Sequence, residues 1–132
     1  PMSIRAALWA TVPGSGPEGV DPWKKLDTAS KIGADQGVRL SQAMYALMAY
    51  NASKTELVRQ IIRDHADSQK QVAPHPNYRM VDVFGTIMIQ SMSDRLWVEA
   101  IGHRTPLTGL GTFWDDNADE ESLSLDLDLD DL

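Results

Sequence analysis

Hydrophobic positions recur at two different periods along this chain of 132 residues, and the change of period divides it. Leu40, Met44, Leu47 and Met48 stand three and four apart. Leu57, Val58, Ile61 and Ile62 repeat that spacing, with Arg59, Arg63 and Asp64 on the opposite side. Such patterns put one apolar stripe along a helix of 3.6 residues per turn, and they predict helices over 41–50 and 53–69. Ser53 with Glu56 three residues later has the form of a capping box for the second. Nearer the start, Ser3 is the expected cap of a short helix over 4–12 that Pro13 ends. Asp21 and Pro22 read as cap and first-turn proline of a helix with Trp23, Leu26 and Ile32 inward and Gly33 as its stop. Residues 13–20, 73–77 and 103–114 are rich in glycine and proline or in turn formers and read as connections.

Residues 80–101 fit both periods. At period four, Phe84, Met88, Met92, Leu96 and Ala100 form a helical stripe; at period two the same run is a hairpin and a third strand. Gly85 and the Val/Ile content favour strands, whereas Gln90, Ser91, Met92 and Asp94 favour helix. The expected fold class is therefore mainly α, a small helical domain. A β-hairpin or three-stranded sheet at 80–101 is the α+β alternative.

Strict period two returns at the end, in SLSLDLDLDDL, residues 122–132. Extended, this segment puts Leu123, Leu125, Leu127 and Leu129 on one face and Ser122, Ser124, Asp126, Asp128 and Asp130 on the other. Ordering backbone costs about 1–2 kcal/mol per residue. Burying a leucine returns about 1.5–3 kcal/mol, but only where something covers it. The segment is thus expected to order against a partner or the chain's own body, adding as a strand through Leu123, Leu125, Asp126, Leu127, Asp128, Leu129, Asp130 and Leu132. Its aspartates, repeating every ~6.6 Å when extended, also resemble the phosphates of a single nucleic-acid strand.

Charge sharpens the division. Residues 1–114 hold all 12 Lys and Arg against ten acidic residues, and residues 115–132 hold nine acidic residues and no basic one, giving +2 and −9 within a total of −7. The expected organisation is a compact body over 1–114 and an acidic, leucine-alternating interaction tail over 115–132. Pro1, the residue left when an initiator methionine is removed before a small side chain, and a docking tail together suit a component of a large assembly such as a virus particle. The expected location is the cytoplasm or such a particle.

Chemistry for catalysis is sparse. With no cysteine there is no thiol nucleophile and no cysteine-held metal. His65, His75 and His103 lack metal-ligand spacing, and the GSG at 14–16 belongs neither to a nucleophile elbow nor to a phosphate loop. Asp115, Asn117, Asp119, Glu121 and Asp126 fall at calcium-loop positions, but Glu120 stands where the turn demands glycine. Trp9, Trp23, Trp97 and Trp114 read as core or interface anchors rather than base-stacking platforms. No cofactor, no enzymatic activity and no membrane span are expected.

The stretch GVRLSQAMYALMAYNASKTELVRQIIRDH, residues 37–65, resembles the ribbon–helix–helix DNA-binding fold, with Ser53, Thr55, Glu56, Leu57 and Arg59 matching its second-helix signature. The resemblance implies a dimer whose paired strands enter the major groove, with Arg39 facing bases and the Ser53 helix end touching phosphate. The first helix is about a turn shorter than the family pattern, and the preceding IGADQG carries two glycines and an aspartate. The leading expectation is a non-catalytic interaction or assembly protein, an oligomer or part of a larger complex, docking through its tail. The alternative is a nucleic-acid-binding protein using Arg39, Lys54, Arg59 and Arg63, with the tail regulating it or recruiting a partner.

Overall fold

A computed structural model describes residues 2–116 of the chain. Five α-helices follow one another: α1 (Met2–Thr11), α2 (Pro22–Asp35), α3 (Leu40–Asn51), α4 (Thr55–Gln71) and α5 (Arg79–Ile101), with a 3₁₀ turn over Pro76–Tyr78 before the last. The protein is mainly helical, and no strand occurs among the described residues. The period-four reading of 80–101 is the one observed, as a helix of 23 residues. Gly85, taken from sequence as a strand signal, is instead a notch. A Cβ there would lie 3.1 Å from the Arg39 carbonyl oxygen and the Leu40 nitrogen, so its absence lets α5 pass close against the start of α3.

Helix α3 is central and packs against α1, α2, α4 and α5. That position explains a correction to its expected stripe. Ala43, Ala46 and Ala49 are wholly buried, and Leu40, Met44, Leu47 and Met48 are only partly so. A helix with neighbours on several sides needs small residues at its contacts, because these let helix axes approach closely. The core is completed by Leu26, Val58, Ile61, Ile62, Ile89, Met92 and Leu96. Ile32, expected to face inward, is exposed.

The helix ends follow local chemistry, in two places differently from expectation. Asp21 caps α2 as read, accepting from the Trp23 N–H at 2.9 Å, with Pro22 in the first turn. Gly33 does not stop that helix. The stop is Gly37, at φ +71°, where the N–H groups of Gly37 and Val38 return to the carbonyls of Ala34 and Gly33. Gly33 is needed for another reason: a Cβ there would lie 2.6 Å from the Val38 carbonyl oxygen. Ser53 ends α3 in the same manner and does not cap α4. At φ +58° it occupies the left-handed position, with its N–H on the Tyr50 carbonyl and that of Lys54 on Ala49. The capping box therefore does not form, and α4 begins after Lys54 without a side-chain cap. Ser3 likewise lies inside α1, buried against α3, with its hydroxyl 3.3 Å from that of Ser41.

Candidate interaction surface

Three places in the body gather polar or exposed chemistry. The first is buried. Arg39 enters α3 with 1% of its surface exposed. Its Nη1 lies 2.7 Å from Asp82 Oδ2, its Nε donates to Ser68 Oγ at 2.9 Å, and its Nη2 donates to the Val72 carbonyl. Its backbone N–H takes the other Asp82 oxygen at 2.9 Å. Beside it, the ring of His65 stands 2.7 Å from Gln42 Oε1 and 3.0 Å from Thr86 Oγ1. Burial, reinforced by the Arg39 charge, pushes the His65 pKa down to about 4, so the ring is neutral. Because Gln42 Oε1 only accepts, Nδ1 carries the proton. His, Asp and Arg together suggest catalysis by type, but Arg39, His65 and Asp82 are no more than 3% exposed, and a substrate has no approach to them. The network fastens α3, α4 and α5 together.

The second place is where the body meets the acidic segment. After α5 the chain folds back across α4. Thr105 is held by Ser93 and Asp94, and the Trp97 indole donates to the Thr112 carbonyl at 3.2 Å. Gly111, at φ +92°, passes so close to α4 that a Cβ would meet that of Ala66 at 2.8 Å. Phe113 is then buried, with the guanidinium of Arg59 4.5 Å and that of Arg63 4.9 Å from its ring centre. Arg59 grips Asp115 with both terminal nitrogens, and Arg63 reaches Asp116 at 2.9 Å. The hydrogen bond between Arg59 and Asp115 raises the arginine pKa and lowers that of the carboxyl. Arg59, read from sequence as solvent-facing, is in fact buried, because the strap over 103–116 lies on it.

The third is the outer face of α5. Met80, Val83, Phe84, Ile87, Val98 and Ile101 are all exposed, Met80 to 86%. Steps of about 3.6 residues from Met80 pass through Val83 or Phe84, Ile87, Ser91, Asp94 or Arg95, Val98 and Ile101, so these positions form a line along the helix. The buried line is different: Asp82, Gly85, Ile89, Met92, Ser93, Leu96 and Trp97. Of the stripe read from sequence, Met92 and Leu96 are buried, Met88 is half-buried, and Phe84 and Ala100 are exposed. The outer line escaped sequence reasoning. Its signal was present in Val83, Ile87, Val98 and Ile101, apolar positions that fall outside the stripe read from sequence.

Of the residues read as phosphate contacts, only Lys54 is freely exposed, and its ammonium lies 4.4 Å from the Trp23 ring centre. Arg39 is buried and engaged; it presents nothing to a base or phosphate. The ribbon that the family resemblance implies is not there: residues 36–39 form a turn after α2, and Ser53 closes α3. The expected docking residues Leu123, Leu125, Asp126, Leu127, Asp128, Leu129, Asp130 and Leu132 lie outside the described residues, as does most of the calcium-loop candidate. Among the described residues no three His, Asp or Glu gather as metal ligands, and no helix is long and apolar enough to cross a membrane. No protein-family model, no curated protein and no solved structure matches the chain.

Proposed function

We propose that the chain is a non-catalytic interaction and assembly protein. The observation that carries this reading is the outer face of α5, where six large hydrophobic side chains stand in water in two groups, Met80, Val83, Phe84 and Ile87 and, beyond Ser91 and Arg95, Val98 and Ile101. Monomeric proteins rarely leave a contiguous apolar patch of more than a few hundred Å² uncovered, and such patches mark interaction sites. The acidic, leucine-alternating segment adds a second docking element, suited to strand addition at a sheet edge or to a basic surface. Two docking elements on one small chain suit a component of a larger complex, a virus particle among them, in the cytoplasm or within the particle. The test replaces Leu123, Leu125, Leu127 and Leu129 by Ser in the full chain and compares capture of proteins from the native source. Loss of a specific partner supports docking through the tail; an unchanged set of partners refutes it.

A second reading has its own observation. Asp115 and Asp116 put carboxylates on Arg59 and Arg63, where nucleic-acid phosphates would otherwise bind. In this reading the tail masks a nucleic-acid-binding face. Asp115→Asn with Asp116→Asn would then raise affinity for a single-stranded oligonucleotide, with the gain lost as salt is added. A body charge of only +2 keeps this reading second.

A further inference from the structure

The structure assigns a binding site for a small hydroxylated amine, an amino sugar being the type, to the groove between α2 and α4. Such a site is independent of the docking reading above. Both helices pack on α3 and barely touch each other, so α3 floors a groove of about 340 Å³ with a wall on either side. That volume lies at the lower end of the range for small-molecule pockets, about 300–1,000 Å³.

Three polar side chains that line the groove are more than nine-tenths buried: Ser30 of α2 at 6% exposure, and Gln42 and Tyr45 of α3 at 3% and 7%. Gln42 gives its Oε1 to His65, and its amide nitrogen has no partner among the described residues. The hydroxyls of Ser30 and Tyr45 have none either. Elsewhere in these helices a hydroxyl returns to the carbonyl four residues back, as those of Thr11 and Thr28 do. A polar atom sealed from water without a partner is destabilising. Among the described residues that state is found at Arg59 Nε, not at these three atoms. They open onto the groove, which therefore offers two hydroxyls and an amide donor with unused bonding capacity.

Water alone would satisfy those groups, but the rim asks for charge. Asp27 and Asp35 from α2 and Asp64 from α4 stand around the groove against the one ammonium of Lys31. Lys31 takes Asp27 at 2.7 Å, and the Gln60 amide donates to one oxygen of Asp64 at 2.8 Å. Asp35 and the second oxygen of Asp64 are left over among the described residues. Burial, with the charges of Asp27, Asp21 and Asp64, raises the Tyr45 pKa, so its hydroxyl keeps its proton and lies near the carboxylates. An excess of carboxylate disfavours an anion and attracts a cation. Among the described residues no three acidic or histidine side chains gather as metal ligands, so the cation that fits is organic. Hydroxyls on its body pair with Ser30, Gln42 and Tyr45, and Leu57 and Ile61 cover its C–H surface. A simple diamine would leave the three polar groups unpaired, and a neutral sugar would leave the carboxylates so.

The probe is glucosamine, added to the 15N-labelled full chain in mildly acidic buffer to about 10 mM, enough to saturate a site with a Kd of about 1 mM. Saturable shifts confined to the groove are expected, the side-chain amides of Gln42 and Gln60 included. Glucose, which lacks the ammonium, and putrescine, which lacks the hydroxyls, should each bind at least about tenfold more weakly. Tyr45→Phe removes only the hydroxyl. It should weaken glucosamine about three- to tenfold and leave the melting temperature unchanged, since that hydroxyl has no protein partner to lose. Asp64→Asn should weaken it about two- to fivefold, the worth of an exposed charge pair. Asp67→Asn, on the same helix but outside the groove, should change nothing. No saturable shift, binding indifferent to Tyr45→Phe, equal effects of Asp64→Asn and Asp67→Asn, or glucose or putrescine binding as tightly as glucosamine overturns the assignment.

Discussion

Arg39 and Asp82, 43 residues apart, meet through both oxygens of the carboxylate: one takes the guanidinium at 2.7 Å and the other the backbone N–H of the same arginine at 2.9 Å. The two side chains are among the most buried charges of the body. The pair fixes where α5 crosses the entrance of α3, and the missing side chain of Gly85 makes room for that crossing.

Breaking this pair from one side leaves an uncompensated buried charge, which costs about 3–5 kcal/mol. Asp82→Ala should therefore lower stability by that amount, measured by urea denaturation at neutral pH. Asp82→Leu combined with Arg39→Met should be less damaging than Asp82→Ala, because no charge is stranded. If the single variant loses less than about 1 kcal/mol, the network is not what fastens α3 to α5.

The left-handed turn after α3 gives a variant of opposite sign. Ser53 holds φ +58°, a conformation costing roughly 1–2 kcal/mol for a residue with a Cβ. Glycine removes that strain but adds roughly 0.4–1 kcal/mol of unfolded-state entropy. Ser53→Gly should stabilise by about 0.5–1 kcal/mol. Gly33→Ala, in a helix where alanine ordinarily gains, should instead destabilise, since its Cβ would meet the Val38 carbonyl at 2.6 Å. Melting temperatures of the two variants should move in opposite directions.

Much of this was legible in the chain, and the failures share a cause. Periodicity located the helices, Asp21 and Pro22 located one start, and Pro13 one end, because those signals act within a few residues. Ser53 was misread because a serine at a helix boundary serves either neighbour, and only the path of the chain decides which. Arg59 was placed in solvent because its cover comes from Phe113 and Asp115, more than 50 residues away. The orientation of α3 was missed for a related reason: several neighbours reward alanines, whereas a single-stripe reading rewards leucine and methionine. The outer line of α5 lies at the same helical spacing as the buried one, and local sequence does not rank two such lines.

His65 carries a pH dependence whose sign follows from its burial. Its pKa is about 4 in the folded chain and near 6.5 when unfolded. Above pH 6.5 both states are neutral and its contribution to stability is fully present. As the pH falls from 6.5 towards 4 the unfolded chain takes up the proton and the contribution is lost. Between pH 7.5 and 5.0 the loss from this residue is roughly 2 kcal/mol. His65→Gln should be less stable than the parent at pH 7.5 and should show a correspondingly shallower decline to pH 5.0. Parallel profiles for the two proteins would mean that folding leaves the pKa of the ring where it is in the unfolded chain.

Arg59 tests whether the strap over 103–116 is held by charge alone or by shape as well. Its guanidinium both grips Asp115 and lies over Phe113 and Trp114, at 4.5 and 5.2 Å from the ring centres. A lysine keeps the charge but has neither the planar fork nor the flat stacking surface. If charge alone held the strap, Arg59→Lys would behave as the parent and high salt would release the segment in both. Because part of the contact is stacking against a buried ring, Arg59→Lys should cost about 1–2 kcal/mol, within the range for a cation over an aromatic face together with a charged hydrogen bond. The reporter is intrinsic: Trp114 of the strap meets Trp97 of α5 edge to face at 5.7 Å, so release of the strap alters tryptophan fluorescence. Added salt should shift the parent signal little, and Arg59→Lys should shift it without salt. The opposite pattern, salt releasing the strap while lysine retains it, would show that the aromatic stack contributes nothing.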